Sequence, residues 1–204
     1  MRAAGAPIPP GLVRFNALAA EEALAELLSC CASSAWAQAV AACRPFADAE
    51  ALYAAAERIW WGLRPEDWHA AFAAHPRIGE RPAGGPHAGR SPQVVRSVAW
   101  SAAEQAGGRA ASAPLLDELA AANRGYEARF GWVFLICAAG KSAKEMLAAL
   151  RARIGNDPQA ELRVAAAEQA KITRLRLARL LDETSGVEPR AVTPGDERAG
   201  RMGR

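Results

Sequence analysis

The chain has 204 residues, 51% of them hydrophobic and 23% charged, with 25 Lys+Arg against 22 Asp+Glu. That length suits one domain with a buried core and the composition excludes intrinsic disorder; a formal charge of +3 lacks the clustered Lys/Arg of a nucleic-acid binder. Cys30, Cys31, Cys43 and Cys137 form no Cys-x-x-Cys pair, which excludes a zinc knuckle or disulfide scaffold and points to free thiols in a reducing compartment.

Abundant alanine and leucine with sparse β-branched residues predict an all-α fold: a single compact domain of about eight helices with one long Gly/Pro-rich loop. Asn16 reads as the cap of a first helix ending near Cys31, and Ser33 or Ser34 as the cap of a second, closed by Arg44-Pro45. Asp48 opens a third helix through Trp61, and Gly62 ends it. Pro65 fits the first position of the next, through Phe72, because its missing N–H would be unpaired there in any case. From Pro76 to about Val98, glycines and prolines break the pattern, and helix is expected to resume near Ser101. A further helix runs from Pro114 to Phe130. Ser142 and Glu145 make a capping box, and Asp157-Pro158 opens the longest helix, reaching about Asp182. The helical domain is therefore 12–182, with 1–11 and 183–204 read as disordered tails.

No apolar run approaches the roughly 18 to 20 residues of a membrane span. The start lacks the apolar stretch of a signal peptide, and the ending Met202-Gly203-Arg204 is not the peroxisomal Ser-Lys-Leu. A soluble, cytoplasmic protein is the expectation.

Several residues break the helical logic. His75 precedes Pro76 at the mouth of the long loop. It is either a helix C-terminal histidine against exposed carbonyls, or an imidazole held rigidly for acid/base work. His69 lies within a helix and His87 in the loop, and the histidines have no metal-ligand spacing. Ser101-x-x-Glu104 reads as a capping box. With Gln105 it is also a compact polar cluster able to bind a polar heterocycle. In the last helix Leu162, Ala165, Ile172 and Arg176 share a stripe with Gln169 between them. Arg176 there either snorkels to water or aims its guanidinium into a pocket, while Arg174 and Arg179 suit a solvated face. Ala139-Gly140-Lys141-Ser142 is not a phosphate loop, because the upstream glycine position is Leu135. The six tryptophans suit core packing better than base stacking.

Together these segments resemble one family. Phe72-Ala73-Ala74-His75-Pro76-Arg77-Ile78-Gly79 and Ser101-Ala102-Ala103-Glu104-Gln105-Ala106-Gly107 come first. Asn123-Arg124-Gly125-Tyr126-Glu127-Ala128-Arg129-Phe130-Gly131-Trp132-Val133-Phe134 and Ile136-Cys137-Ala138-Ala139-Gly140-Lys141-Ser142 follow, and Lys171-Ile172-Thr173-Arg174-Leu175-Arg176-Leu177 closes the set. In that order they are similar to 2-oxo-4-hydroxy-4-carboxy-5-ureidoimidazoline (OHCU) decarboxylases, a likeness spanning about Leu12 to Leu181. The resemblance implies a lyase of urate degradation that yields (S)-allantoin, an all-helical homodimer without cofactor or metal. It implies His75 as the acid/base with Glu104 working beside it. Arg176 would hold the substrate with Ser101 and Gln105, and Pro76, Phe134, Leu135 and Ile136 would line the pocket. No nucleic-acid or membrane partner is expected, and association with 5-hydroxyisourate hydrolase, the preceding enzyme of the pathway, is left open. The competing expectation is a non-catalytic ligand-binding or regulatory module of the same fold. The 77–98 connection is longer than in compact members and is either a lid or a tolerated insertion.

Overall fold

A computed structural model describes residues 8–78, 92–106 and 111–182. Among the described residues there are nine α-helices and no strand. They are α1 Pro10–Ala17, α2 Ala20–Cys30, α3 Ser34–Ala41, α4 Ala49–Trp61, α5 Pro65–Ala73, α6 Pro92–Glu104, α7 Ala113–Phe130, α8 Ala143–Arg153 and α9 Pro158–Asp182. The all-α reading holds. No helix among the described residues is long and apolar enough to cross a membrane.

Local chemistry explains most of the boundaries. Ser33 Oγ accepts the Trp36 N–H, and Asp48 Oδ1 accepts that of Ala51 at 2.7 Å. Ser142 and Glu145 form the expected reciprocal box, and Asp157 Oδ1 takes the N–H groups of Gln159 and Ala160. Gly131 closes α7 at φ +81°, a backbone conformation that costs glycine little and other residues more.

Two boundaries differ from the sequence reading. Asn16 does not cap a helix to Cys31. It lies inside α1, where Nδ2 donates to the Phe46 carbonyl and Oδ1 accepts the Phe46 N–H, each at 2.9 Å. The chain breaks at Leu18 because Arg44 Nη1 supplies donors to the Phe15 and Leu18 carbonyls at 2.9 and 2.8 Å, satisfying the end of α1 from outside. The second difference is α6. It begins at Pro92, a residue suited to an opening turn, and not near Ser101. Ser101 therefore caps nothing; it and Glu104 lie three apart on one helical face. Residues 79–91 of the expected loop, with His87 and the lid reading, lie outside the described residues, as do residues 183–204.

The core has two clusters. The larger joins α1 to α5, Trp100 of α6, Leu135 and the inner face of α9. The smaller joins α7 and α8 with Ile78, Phe134 and Ile136. Residues 133–138 run between them without regular structure, and their alternating side chains knit the clusters: Phe134 and Ile136 enter one, Leu135 the other. α9 packs against α1, α2, α4 and α5. At its contact with α1, a Cβ on Gly11 would stand 1.9 Å from the Leu181 carbonyl oxygen, so only glycine permits that approach. Tryptophans act as the sequence suggests. The Nε1 groups of Trp36, Trp60 and Trp68 donate to the carbonyls of Ala56, Ala166 and Trp60. Trp61 is the exception, 43% exposed.

Candidate active site

Pro76 disfavours helical backbone at the residue before it, so α5 ends at Ala73 and His75 leaves the helix while its N–H still reaches the Phe72 carbonyl at 3.0 Å. α7 then pins the chain that follows. Arg77 makes a paired contact with Glu127, Nε at 2.6 Å and Nη2 at 2.8 Å, and Asn123 Nδ2 donates to the Ile78 carbonyl at 3.0 Å. Asn123 and Glu127 are four apart on one face of α7, so the Asn123-to-Phe130 motif has a physical purpose: it anchors the His75-Pro76 junction.

Across from this junction stands Arg176 of α9, 3% exposed. Its Nε and Nη2 grip Glu104 at 3.0 and 2.9 Å, and Nη2 also donates to Ser101 Oγ at 2.9 Å. Nη1 has the loosest engagement, Ser97 Oγ at 3.5 Å. Snorkelling is thus overturned: the guanidinium is held inside by a buried carboxylate and a hydroxyl. Arg179, expected on the solvated face, instead donates from Nη1 to Glu104 Oε1 at 3.1 Å. Its stem is long enough to reach back across the helix, which periodicity alone does not register. Among the described residues the side-chain hydrogen bonds of Glu104 go to these arginines, and none to His75.

His75 is only partly exposed, and its imidazole is pushed down to about 4 by burial first and by the Arg176 charge second; the Gln169 amide opposes both. At neutral pH the ring is therefore uncharged, with a free lone pair. Gln169, fully buried on α9, donates from Nε2 to Thr173 Oγ1 at 3.1 Å. Sequence reasoning placed Gln169 on the stripe without a role; an amide at a core position was the signal.

The extended residues complete the cluster. Arg153 Nη1 donates to the Leu135 carbonyl at 2.7 Å, and Glu168 Oε2 accepts the Cys137 N–H at 2.8 Å. Arg153 is itself fixed by the fully buried Glu161, which also holds Tyr126 and Asn156. Glu104 acts electrostatically on the Cys137 thiol, which puts this segment beside the arginine cluster. Phe134, Leu135 and Ile136 are all buried. Gln105 follows Glu104, its N–H bonded to the Ser101 carbonyl and its side chain half-buried. Pro76 is half-buried next to His75. The junction, α6, α9 and the 134–137 segment thus contribute a neutral base, a net positive arginine–glutamate group and ordered backbone that act on one another electrostatically. That combination suits an anion that must lose a proton and then regain one. A separate cleft between α4 and α9, lined by Tyr53, Glu57, Trp61, Lys171 and Arg174, contains none of the expected site residues. His69 packs its ring on Phe72 and Trp132.

Comparison with known proteins points to one family. The family model for OHCU decarboxylase matches residues 16–178. The uric acid degradation bifunctional protein TTL of Arabidopsis thaliana is 41% identical over 161 residues, which is 78% of this chain and 47% of that protein. The 2-oxo-4-hydroxy-4-carboxy-5-ureidoimidazoline decarboxylase of Amia calva is 44% identical over 55 residues, 27% of this chain and 31% of that one. The chain thus spans less than half the length of these curated relatives. A crystal structure of OHCU decarboxylase in the presence of (S)-allantoin superposes with a TM-score of 0.65 at 37% identity, covering 78% of this chain and 99% of that one. An (S)-allantoin synthase structure, 18% identical with a TM-score of 0.61, shares the fold over 84% of this chain and 54% of its own.

Proposed function

The chain belongs to the OHCU decarboxylase family, and on that premise we propose that it converts OHCU to (S)-allantoin and carbon dioxide. The observation that carries the reading is the pairing of an uncharged His75 with a buried, carboxylate-anchored Arg176. Glu104 carries one negative charge and Arg176 with Arg179 two positive ones, so the group attracts the substrate carboxylate. The Nη1 edge of Arg176 is the least committed and would take a substrate oxygen.

In the proposed step His75 accepts the proton of the ring hydroxyl. The bond to the carboxylate carbon breaks, and its electron pair enters the ring, delocalised onto the neighbouring nitrogen. The hydroxyl carbon becomes a carbonyl and carbon dioxide leaves. The ring nitrogen that received the electron pair takes a proton from solvent, and His75 returns its own proton to the ureido-bearing carbon from one face, which sets the hand of the neutral product. The bound carboxylate offsets the field of Arg176 and draws the His75 pKa back toward the working range. Loss of the carboxylate removes the charge that Arg176 holds, favouring release of the neutral product. Glu104 acts through Arg176, fixing its plane, and Ser101 supports the same guanidinium. Gln105, Pro76 and the backbone of Phe134, Leu135 and Ile136 line the pocket in this reading.

The test generates OHCU freshly from urate and follows circular dichroism. The substrate decays unaided to racemic product, so only a rapid, enzyme-dependent signal of one hand supports the proposal. His75→Ala is expected to lose about 10²–10⁴-fold in rate. A folded His75→Ala protein of undiminished activity would sink the assignment, and an optically silent product would favour the binding-module reading. A cytoplasmic homodimer, and association with 5-hydroxyisourate hydrolase, are part of the same proposal.

A further inference from the structure

Gln169 is fully buried on the apolar face of α9, where an aliphatic side chain would pack without cost, and its Oε1 has no partner of hydrogen-bond geometry. A buried amide oxygen left open in this way has lost its hydration with nothing in return and calls for a reason. The other end of the amide is committed, because Nε2 donates to Thr173 Oγ1 at 3.1 Å. Thr173 has one proton to give and interacts with the Cys31 sulfur so as to favour its thiolate, as a hydroxyl does when it donates. Toward Gln169 the Thr173 oxygen can then only accept. This orders the chain of groups from Cys31 through Thr173 to Gln169 and leaves Oε1 uncommitted on a helix that packs against α5, where Gln169 interacts with the His75 imidazole.

We propose that Gln169 is a positioning residue that selects the tautomer of His75: Oε1 takes the N–H of the ring nitrogen facing it, so the lone pair of the other nitrogen points at the substrate. The inference rests on the decarboxylase reading for its consequence, though not for its geometry. An amide oxygen only accepts, so an imidazole can satisfy it only with a ring N–H, and a neutral imidazole has one. The contact is longer than a hydrogen bond in the free protein and shortens to one when substrate is bound, as such contacts commonly do. The other charged groups nearby are committed elsewhere. Arg176 is gripped by Glu104 of α6, Arg77 by Glu127 of α7, and Glu168 by Lys171 and the Cys137 N–H.

Nitrogen NMR of the full chain labelled at its three histidines reads the tautomer directly. Wild-type His75, assigned by its loss in His75→Gln, is expected as one neutral tautomer; averaged ring-nitrogen shifts would overturn the proposal without any variant. In Gln169→Leu, a near-isosteric change, the tautomers are expected to mix. The kcat should fall about 10- to 100-fold, the range known for orienting partners of metal-ligating histidines, with KM within twofold. The acid limb of the rate should move in opposite directions in the two variants, to lower pH in Gln169→Leu and to higher pH in Gln169→Glu. Unchanged shifts and kinetics in folded Gln169→Leu would refute the role. An inactive wild type, or a fully active His75→Ala, would instead refute the decarboxylase reading and leave the tautomer result standing.

Discussion

A free histidine titrates near 6.5, whereas His75 does so at about 4, because its burial and then the Arg176 charge oppose protonation. The base form therefore persists well into acid. The expected kcat/KM is flat from pH 7 to about 5, with its acid limb near 4; an apparent pKa near 6.5 would mean that His75 is not the titrating base. The same shift is a statement about stability. The unfolded chain binds this proton near 6.5 and the folded chain only near 4, so the unfolded state holds more protons between those values. Stability should be complete above pH 6.5, fall as pH drops through that window, and level off below 4, by on the order of 3 kcal/mol. Urea midpoints at pH 7 and 4.5 should separate more for wild type than for His75→Gln, and equal separation would exclude His75 as the source. At this scale Arg176 stood out because a charge interrupts an apolar period, whereas Ser101 and Glu104 read as a helix cap with a polar cluster and lie within α6. Arg179 was misread because periodicity gives the direction of a side chain and not its reach.

Elements are held in place here by buried polar clamps as much as by apolar contact. The 134–137 segment has no ladder of its own, and its order comes from Arg153 and Glu168. Arg153 depends on Glu161, which is fully buried and bonds Tyr126, Asn156 and Arg153 together. Glu161→Leu would strand the Arg153 charge and is expected to cost about 3–5 kcal/mol, read as a shifted urea midpoint at constant slope. The double variant Glu161→Leu with Arg153→Met should recover much of that loss; strict additivity would show that the pair is not coupled. The helix termini were readable from caps and prolines, since a cap needs only its neighbours. The break at Leu18 and the start of α6 were not, since the first depends on Arg44 arriving from another part of the chain. The Ser101-x-x-Glu104 spacing fits a cap and a shared helical face equally well, and the start of α6 at Pro92, with Arg176 opposite, distinguishes them.

For the whole molecule, α9 is the organising element: one helix contributes Gln169 and Arg176 to the candidate site while packing against four others. The proposed homodimer belongs to this scale. Light scattering on the native chain at micromolar concentration should give twice the 21.5 kDa of one copy, and a mass near 21.5 kDa would refute it. Trp61 is the largest aromatic surface left exposed and is a natural reporter for that measurement, because burial in an interface would shift its fluorescence.

The sequence by itself determined the helical class, most caps, the free thiols and the set of segments that identifies the family, because each depends on local chemistry or on order along the chain. Tertiary structure alone decided which charges meet. Glu104 and Arg176 are 72 residues apart, and the end of α5 lies beside α9 only because the two helices pack together. Helical period states which residues share a face. It does not state which face lies opposite, and the chemistry of this site is made across that gap.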